Sequence, residues 1–399
     1  MLIQFAVENF FSFKEEAILS FLGNKTTKEH EEENIFYLEG QKILKSLAIY
    51  GANASGKTNL FLALRFMLDC MKHGLDTIFK EDAGKSTAFL FSPTTAKESS
   101  FFELVFAVEG QFYHYGFEIF EGKLQAEWLY RGWNKEEELF QREKQQIDYD
   151  KDLFSEGDRL AEKTRPDVLF LLVCAQFNGT IAKSILDYVA KVNVLTGLKG
   201  ESILGFGLKK FEEDERFRLW LQQFMQPLGI ERISLSGESG KREYRFWHQV
   251  FDESGQGIES QGLPLARMST GTRKLLCFLA PIYEALEEQE VLFIDELDAS
   301  FHPLLLELLL KLFHRHNKKG AQFAFSLHNP RLLEQKLLRR DQIYFVEKTP
   351  RGASQLYSLL DYKVRNDEKL DKNYLKGKYG ALPELQLLEE KLLEYGQEE

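Results

Sequence analysis

Long apolar runs are missing from this chain. No stretch approaches the roughly 18 apolar residues that a membrane span needs. The N-terminal MLIQFAVENF carries neither the basic region nor the apolar core of a signal peptide. A soluble, cytoplasmic protein with no membrane partner is the expectation. Cysteine is scarce as well: Cys70, Cys174 and Cys277 lie far apart inside apolar runs. Their spacing fits neither a disulfide framework nor a zinc site, so they read as reduced core residues. Positive charge is not in excess either. The 51 Lys and Arg against 62 Asp and Glu leave a formal net charge of −11, which argues against a surface that is basic overall. Nucleic acid stays open as a partner, because it needs a local basic patch and not a total. Internal repeats, low-complexity tracts and sustained heptads are all lacking, which excludes long coiled-coil arms.

What is present is core-forming material. Of 399 residues 44% are hydrophobic and 34 are Phe, enough for two or three units of roughly 100–200 residues each. LIQFAV reads as a first strand, and ILKSLAIY (43–50) as an apolar strand running into a glycine loop. KTNLFLALRFML has helical spacing. Residues 101–130 read as an antiparallel meander with turns at Glu109-Gly110 and Glu121-Gly122. From about 181 to 228 the pattern is helical and closes at Pro227; 231–251 returns to strand, with a turn at GESGK. RKLLCFLAPIYEALEE is a helix that Pro281 is expected to kink. VLFIDEL and AQFAFSLH are buried strands, with the helix HPLLLELLLKLFHRH between them. The expected architecture is a layered α/β fold with a mixed sheet, an antiparallel β meander and a helical insert. Its expected divisions are an N-terminal lobe at 1–180, an insert at 181–262 and a C-terminal lobe at 263–399.

GANASGKT (51–58) fits G-x-x-x-x-G-K-[ST] between a strand and a helix. Gly51 and Gly56 let the backbone turn tightly and approach phosphates, Lys57 bridges the β- and γ-phosphates, and the Thr58 hydroxyl ligates Mg²⁺. Asn53, Ala54, Ser55 and Asn59 complete the expected ATP-binding set. Asp295 and Glu296 end an apolar strand, where charge is costly without a partner; Mg²⁺ with ATP supplies one. Asp295 is assigned to the metal shell. Glu296 is assigned to polarise the water that attacks the γ-phosphate. His328, ending the next strand, is assigned to the γ-phosphate and that water. Gln176, after LFLLVCA, is a further candidate for Mg²⁺ or for reporting the γ-phosphate.

A second phosphate-binding feature lies far downstream. In MSTGTRK the hydroxyls of Ser269 and Thr272 and the N–H groups of Gly271 and Thr272 open a helix, as suits a γ-phosphate. Two protomers arranged head to tail about a twofold axis would each offer this segment to the other's ATP.

In order, GANASGKT, AQFNG, STGTRK, LFIDELDASFHP and SLH resemble the Walker A, Q-loop, signature, Walker B, D-loop and H-loop motifs of ABC ATPases. The chain thus resembles the ABC-type heads of RecF, SMC and OLD proteins, and VENFFSF (7–13) looks like the opening strand and turn of that group. GANASGKTNL, LDASFHP, RRDQIYFVEK and YLKGKYGALP (374–383) are similar to stretches of abortive-infection ATPases of the RloA/AbiL type. The resemblance implies catalytic roles for Lys57, Glu296 and His328, a signature role for Ser269 and Gly271, and a D-loop role for Asp298 at a dimer seam. MSTGTRK departs from the paired glycines of transporter signatures, so its contact across a dimer is looser or shared with Arg273 or Lys274. The narrower likeness implies anti-phage defence together with an effector, often a TOPRIM-type nuclease encoded nearby. The alternative is a RecF-like DNA-binding ATPase of repair or replication. KGKYG and RRDQ are basic enough to touch nucleic acid, although a solvated face is the plainer reading of both.

Overall fold

In the computed structural model, residues 1–75, 78, 87–196, 200–237, 242–334, 337–365 and 368–383 are described. The strands, in chain order, are β1 (Leu2–Glu8), β2 (Ala17–Ser20), β3 (Ile35–Leu38), β4 (Gln41–Leu44) and β5 (Ser46–Tyr50). A meander follows with β6 (Ser100–Val108), β7 (Gln111–Phe120), β8 (Lys123–Arg131), β9 (Glu137–Glu143) and β10 (Gln146–Tyr149). Then come β11 (Val192–Leu195), β12 (Arg232–Ser236), β13 (Glu243–Phe251) and β14 (Gly257–Pro264). The last four are β15 (Val291–Ile294), β16 (Gln322–Leu327), β17 (Ile343–Lys348) and β18 (Ser354–Ser358).

Two large sheets result. One is antiparallel throughout, in the order β10-β9-β8-β7-β6-β1-β2. The other is mixed, in the order β11-β15-β16-β5-β17-β18, and all its pairings are parallel except β17 with β18. The meander turns fall at the expected pairs. Glu109 and Gly110 have φ of 51° and 80°, and Glu121 and Gly122 have 47° and 73°. Positive φ at both central residues is the two-residue geometry whose twist matches a hairpin.

Side chains of the mixed sheet alternate between two cores, as a period of two requires. Leu47, Ile49, Val291, Phe293 and Val346 join the core shared with the antiparallel sheet and the helices Lys57–His73 and Thr180–Ala190. Ala48, Tyr50, Leu292, Ile294, Phe325 and Phe345 join the core on the opposite face, with the helices Thr270–Glu288 and Pro303–His316. Lys57–His73 buries Leu60, Phe61, Ala63, Leu64, Met67, Leu68 and Met71, the i, i+3, i+4 stripe read from the sequence. All three cysteines are buried and no disulfide joins them. Among the described residues no helix is long and apolar enough to cross a membrane.

Several elements differ from the sequence reading. The helical region expected from 181 is interrupted by β11, an edge strand of the mixed sheet paired parallel to β15. Four residues, VNVL, are too short a run to stand out between two helices. β9, β10 and β14 were not anticipated; β14 completes a small β12-β13-β14 sheet that leads into the helix Thr270–Glu288. The turn expected at GESGK lies outside the described residues from 238 to 241.

Candidate active site

Four neighbouring strands, β15, β16, β5 and β17, run parallel, so their carboxyl ends share one edge of the sheet. Ligands of open α/β sheets settle at that edge. Register sets the levels. Ile294 pairs with Phe325 and Phe325 with Ala48, which puts Asp295 beside Ser326. Leu327 and Phe345 both pair with Tyr50, which puts His328 and Val346 level with Gly51. A cavity of about 350 Å³ opens there, lined by residues 53–59 together with Ser12, Glu296, His328 and Lys348.

Both glycines of the loop are dictated by close approach. A Cβ on Gly51 would strike the carbonyl oxygen of Val346. Gly56 has φ of 116°, and a Cβ there would collide with the Ser354 hydroxyl. Ser354 Oγ instead donates to the Ser55 carbonyl at 2.6 Å and lies 2.8 Å from Ser12 Oγ, and Asn59 Nδ2 donates to Ser12 Oγ at 2.7 Å. The loop is thus braced by two segments more than 300 residues apart in sequence.

Lys57 opens the helix and is only 5% exposed. Its Nζ donates to the carbonyls of Gly51 and Ala52 at 2.7 and 3.0 Å, and lies 3.5 Å from His328 Nδ1. Burial lowers its pKa from 10.5 to about 8, against the opposing pull of Asp295, Asp298 and Glu296. Asp295 is buried between two hydroxyls: Thr58 Oγ1 donates to Oδ2 at 2.6 Å and Ser326 Oγ donates to Oδ1 at 2.5 Å.

Glu296 sits in the left-handed region with φ of 53°, uncommon for a residue with a Cβ. Its N–H donates to Ser326 Oγ at 2.7 Å, which holds the turn. Its half-exposed carboxylate lies 3.7 Å from His328 Nε2. His328 therefore stands between Lys57 and Glu296, one ring nitrogen toward each.

The hard oxygens of Thr58 and Asp295 converge as a Mg²⁺ ion bound chiefly through phosphate and water requires. Among the described residues there is no cluster of three or more His, Cys, Asp or Glu side chains that would hold a metal ion without such a ligand. Ser55 Oγ is buried in the loop without a hydrogen-bond partner, an orphan that a phosphate oxygen would satisfy.

Other nominated residues stand apart from this cavity. Gln176 is exposed at the end of the helix Phe170–Gln176 and is not among the cavity-lining residues. That helix is held from behind: the buried carboxylate of Glu127 on β8 accepts from the N–H groups of Phe170 and Leu171 at 2.7 and 3.0 Å. Ser269 caps the helix Thr270–Glu288, accepting from the Thr272 N–H at 3.1 Å; Ser269 and Gly271 are exposed and neither lines the cavity. Asp298 turns into its own chain, where Oδ2 accepts from the N–H groups of His328 and Asn329 at 2.8 and 2.6 Å.

The two basic stretches differ: RRDQ turns its first arginine inward, whereas Lys376 and Lys378 of KGKYG are exposed. Arg339 is fully buried, paired with Asp341 at 2.6 Å, and donates to the carbonyls of Glu29 and Thr27. It is neither a solvated face nor a nucleic-acid contact, because its whole fork is spent on the interior. Lys378 pairs with Glu368 at 2.6 Å, and Tyr379 is buried.

Ser12, Ser326, Lys348 and Ser354 were given no role in the sequence reading, although Ser12 lies in VENFFSF, Ser326 in SLH and Lys348 at the end of RRDQIYFVEK; only Ser354 lies outside every stretch quoted there.

Among solved structures, the SMC head domain from Thermotoga maritima is similar at 15% identity, covering 91% of this chain and 99% of that one with a TM-score of 0.45. An SMC head bound to the C-terminal winged-helix domain of ScpA is similar at 16% identity, covering 90% and 97% with a TM-score of 0.44. No curated protein matches. The family model described as "AAA domain, putative AbiEii toxin, Type IV TA system" matches residues 46–334, from β5 through β16 and beyond. The chain belongs to that family and is a P-loop ATPase.

Proposed function

We propose that this protein is an ATP-hydrolysing switch in which two copies close head to tail around two composite nucleotide sites. Each copy binds ATP on its own loop and presents Ser269, Gly271 and Thr272 to the ATP of its partner. A split carries this reading: the loop, Glu296 and His328 share one cavity, while the capped, exposed start of Thr270–Glu288 lies outside it. The hydroxyls of Ser269 and Thr272 are bonded to each other and Ser269 caps the Thr272 N–H; in a closed pair a phosphate would take the place of these internal contacts at the helix N-terminus.

Lys57 would bind the β- and γ-phosphates through an ammonium already desolvated, where its attraction is stronger than in water. Thr58 and Asp295 would hold Mg²⁺, which when bound neutralises phosphate charge. Glu296 takes the proton of the attacking water, and His328, fixed between Lys57 and Glu296, orients that water and the γ-phosphate. ATP and water become ADP and phosphate, and the pair reopens. Slow conformational steps of this kind commonly limit turnover.

The family description sets this fold beside toxin–antitoxin systems, which supports a role in anti-phage or abortive-infection defence. In that role the closed and open pairs would hold and release an effector such as a TOPRIM-type nuclease encoded nearby. The RecF-like alternative has less to stand on, because Arg339 of RRDQ, one of the two basic stretches nominated for nucleic acid, is buried and spent within the chain.

Mixed dimers test the composite site. Combining a Lys57→Ala chain with a Ser269→Arg chain, each inactive alone, should restore one active site of two and therefore up to half of the per-dimer ATPase rate. No recovery at any mixing ratio would place every site within a single chain.

A further inference from the structure

The nucleotide cavity contains a second lysine, at the end of RRDQIYFVEK, to which no role has been assigned. Lys348 ends β17, is exposed and lines the same cavity as residues 53–59. Among the described residues its ammonium makes no ion pair or hydrogen bond. Lys57, by contrast, spends its ammonium on two carbonyls of its own loop.

Register tells which end of the cavity Lys348 serves. In the antiparallel pair β17–β18, Lys348 is directly opposite Ser354, and opposite residues project to the same face. Ser354 is the residue that braces the Ser55 carbonyl and crowds Gly56, and it touches Ser12, to which Asn59 donates. Lys348 is therefore placed at the Ser12–Asn59 end, where the helix begins, and not at the Glu296–His328 end. The hydroxyl groups there are already joined to one another and to the loop. Lys348 is thus the unspent cation at that end of the cavity.

We infer that Lys348 is a nucleotide-binding residue, contacting the phosphates nearest the nucleoside, which ATP and ADP share. This rests on the nucleotide reading proposed above and adds a contact to it. A point charge on a flexible stem suits a phosphate without demanding fixed geometry. The role of Lys348 would be to retain nucleotide in either state of the switch, whereas discrimination of the γ-phosphate is left to Lys57, Glu296 and His328.

The test is equilibrium binding of ADP and of a non-hydrolysable ATP analogue to the full chain, read with fluorescent nucleotides at low and moderate salt. Lys348→Ala should weaken both nucleotides by the same factor, about tenfold for loss of one charge-assisted contact at a partly open site. Lys348→Arg should regain most of that affinity, and Lys348→Glu should be weaker than Lys348→Ala. Because Lys348 is exposed, its truncation leaves the core intact. Unchanged affinity in Lys348→Ala, or a loss confined to the ATP analogue, would overturn the assignment while leaving nucleotide binding in place. Absence of binding by the unmodified chain would instead sink the nucleotide reading, and this inference with it.

Discussion

Nucleotide binding should take up a proton, and the amount should follow the pKa of Lys57. In the free protein this ammonium is buried and its pKa is lowered from 10.5 to about 8. A phosphate chain laid against it supplies negative charge that the neighbouring carboxylates only partly provide, so the bound form is fully protonated across the accessible range. The uptake then equals the fraction of Lys57 that is neutral beforehand: about 0.1 proton at pH 7, about 0.5 at pH 8 and about 0.9 at pH 9. The dissociation constant should rise about tenfold between pH 7 and pH 9, or about 1.4 kcal/mol. Fold stability responds with the opposite sign. Between pH 8 and 10.5 the unfolded chain holds this proton and the folded chain does not, so the contribution of Lys57 to stability rises with pH there. Isothermal titration with a non-hydrolysable ATP analogue, in buffers of large and small ionisation enthalpy, measures the uptake directly. Above pH 8 the phosphates are fully ionised, so they do not confuse the count. A binding enthalpy independent of buffer at pH 8 and 9, or an affinity flat from pH 7 to 9, would refute the reasoning.

Two further substitutions have clear expectations. Glu296→Gln should keep ATP binding, lower turnover by two or more orders of magnitude and lengthen the life of the ATP-bound dimer, as size exclusion with light scattering would register; a dimer population insensitive to the change would count against the role of Glu296. Asp341→Ala should lower stability by about 3–5 kcal/mol, because it strands the fully buried guanidinium of Arg339; a urea midpoint displaced by less than the equivalent of about 1 kcal/mol would show that this pair is not needed for stability.

The parts of the site legible in the sequence are those whose spacing is enforced locally. The loop must turn at Gly51 and Gly56, Lys57 and Thr58 follow at the helix start, and the acids end a run of four buried residues. A reader of one segment at a time can recover these. Ser12 and Ser354 act on the loop from opposite ends of the chain, and nothing in either neighbourhood announces the contact. Lys348 fails to register for the same reason: only the parallel pairing of β17 with β5 brings it to the loop. Asp298 illustrates a different limit. Its position after the acids was legible, whereas the direction of its side chain, inward onto the backbone of His328 and Asn329, depends on a turn built around the left-handed Glu296. Arg339 misled because a basic pair on paper carries no mark of burial. β11 was lost because its four residues sit between helices whose periodicity dominates any window that includes them.

The grip of Glu127 on the first turn of Phe170–Gln176 has a mechanical corollary. Glu127 belongs to a strand in the middle of a seven-stranded sheet, its carboxylate also accepts from the Tyr115 hydroxyl, and Arg142 on the next strand lies 3.6 Å from it. The first turn of Phe170–Gln176 is therefore tied to the antiparallel sheet through three hydrogen bonds to one carboxylate, so a displacement of that turn would be carried into the sheet as well.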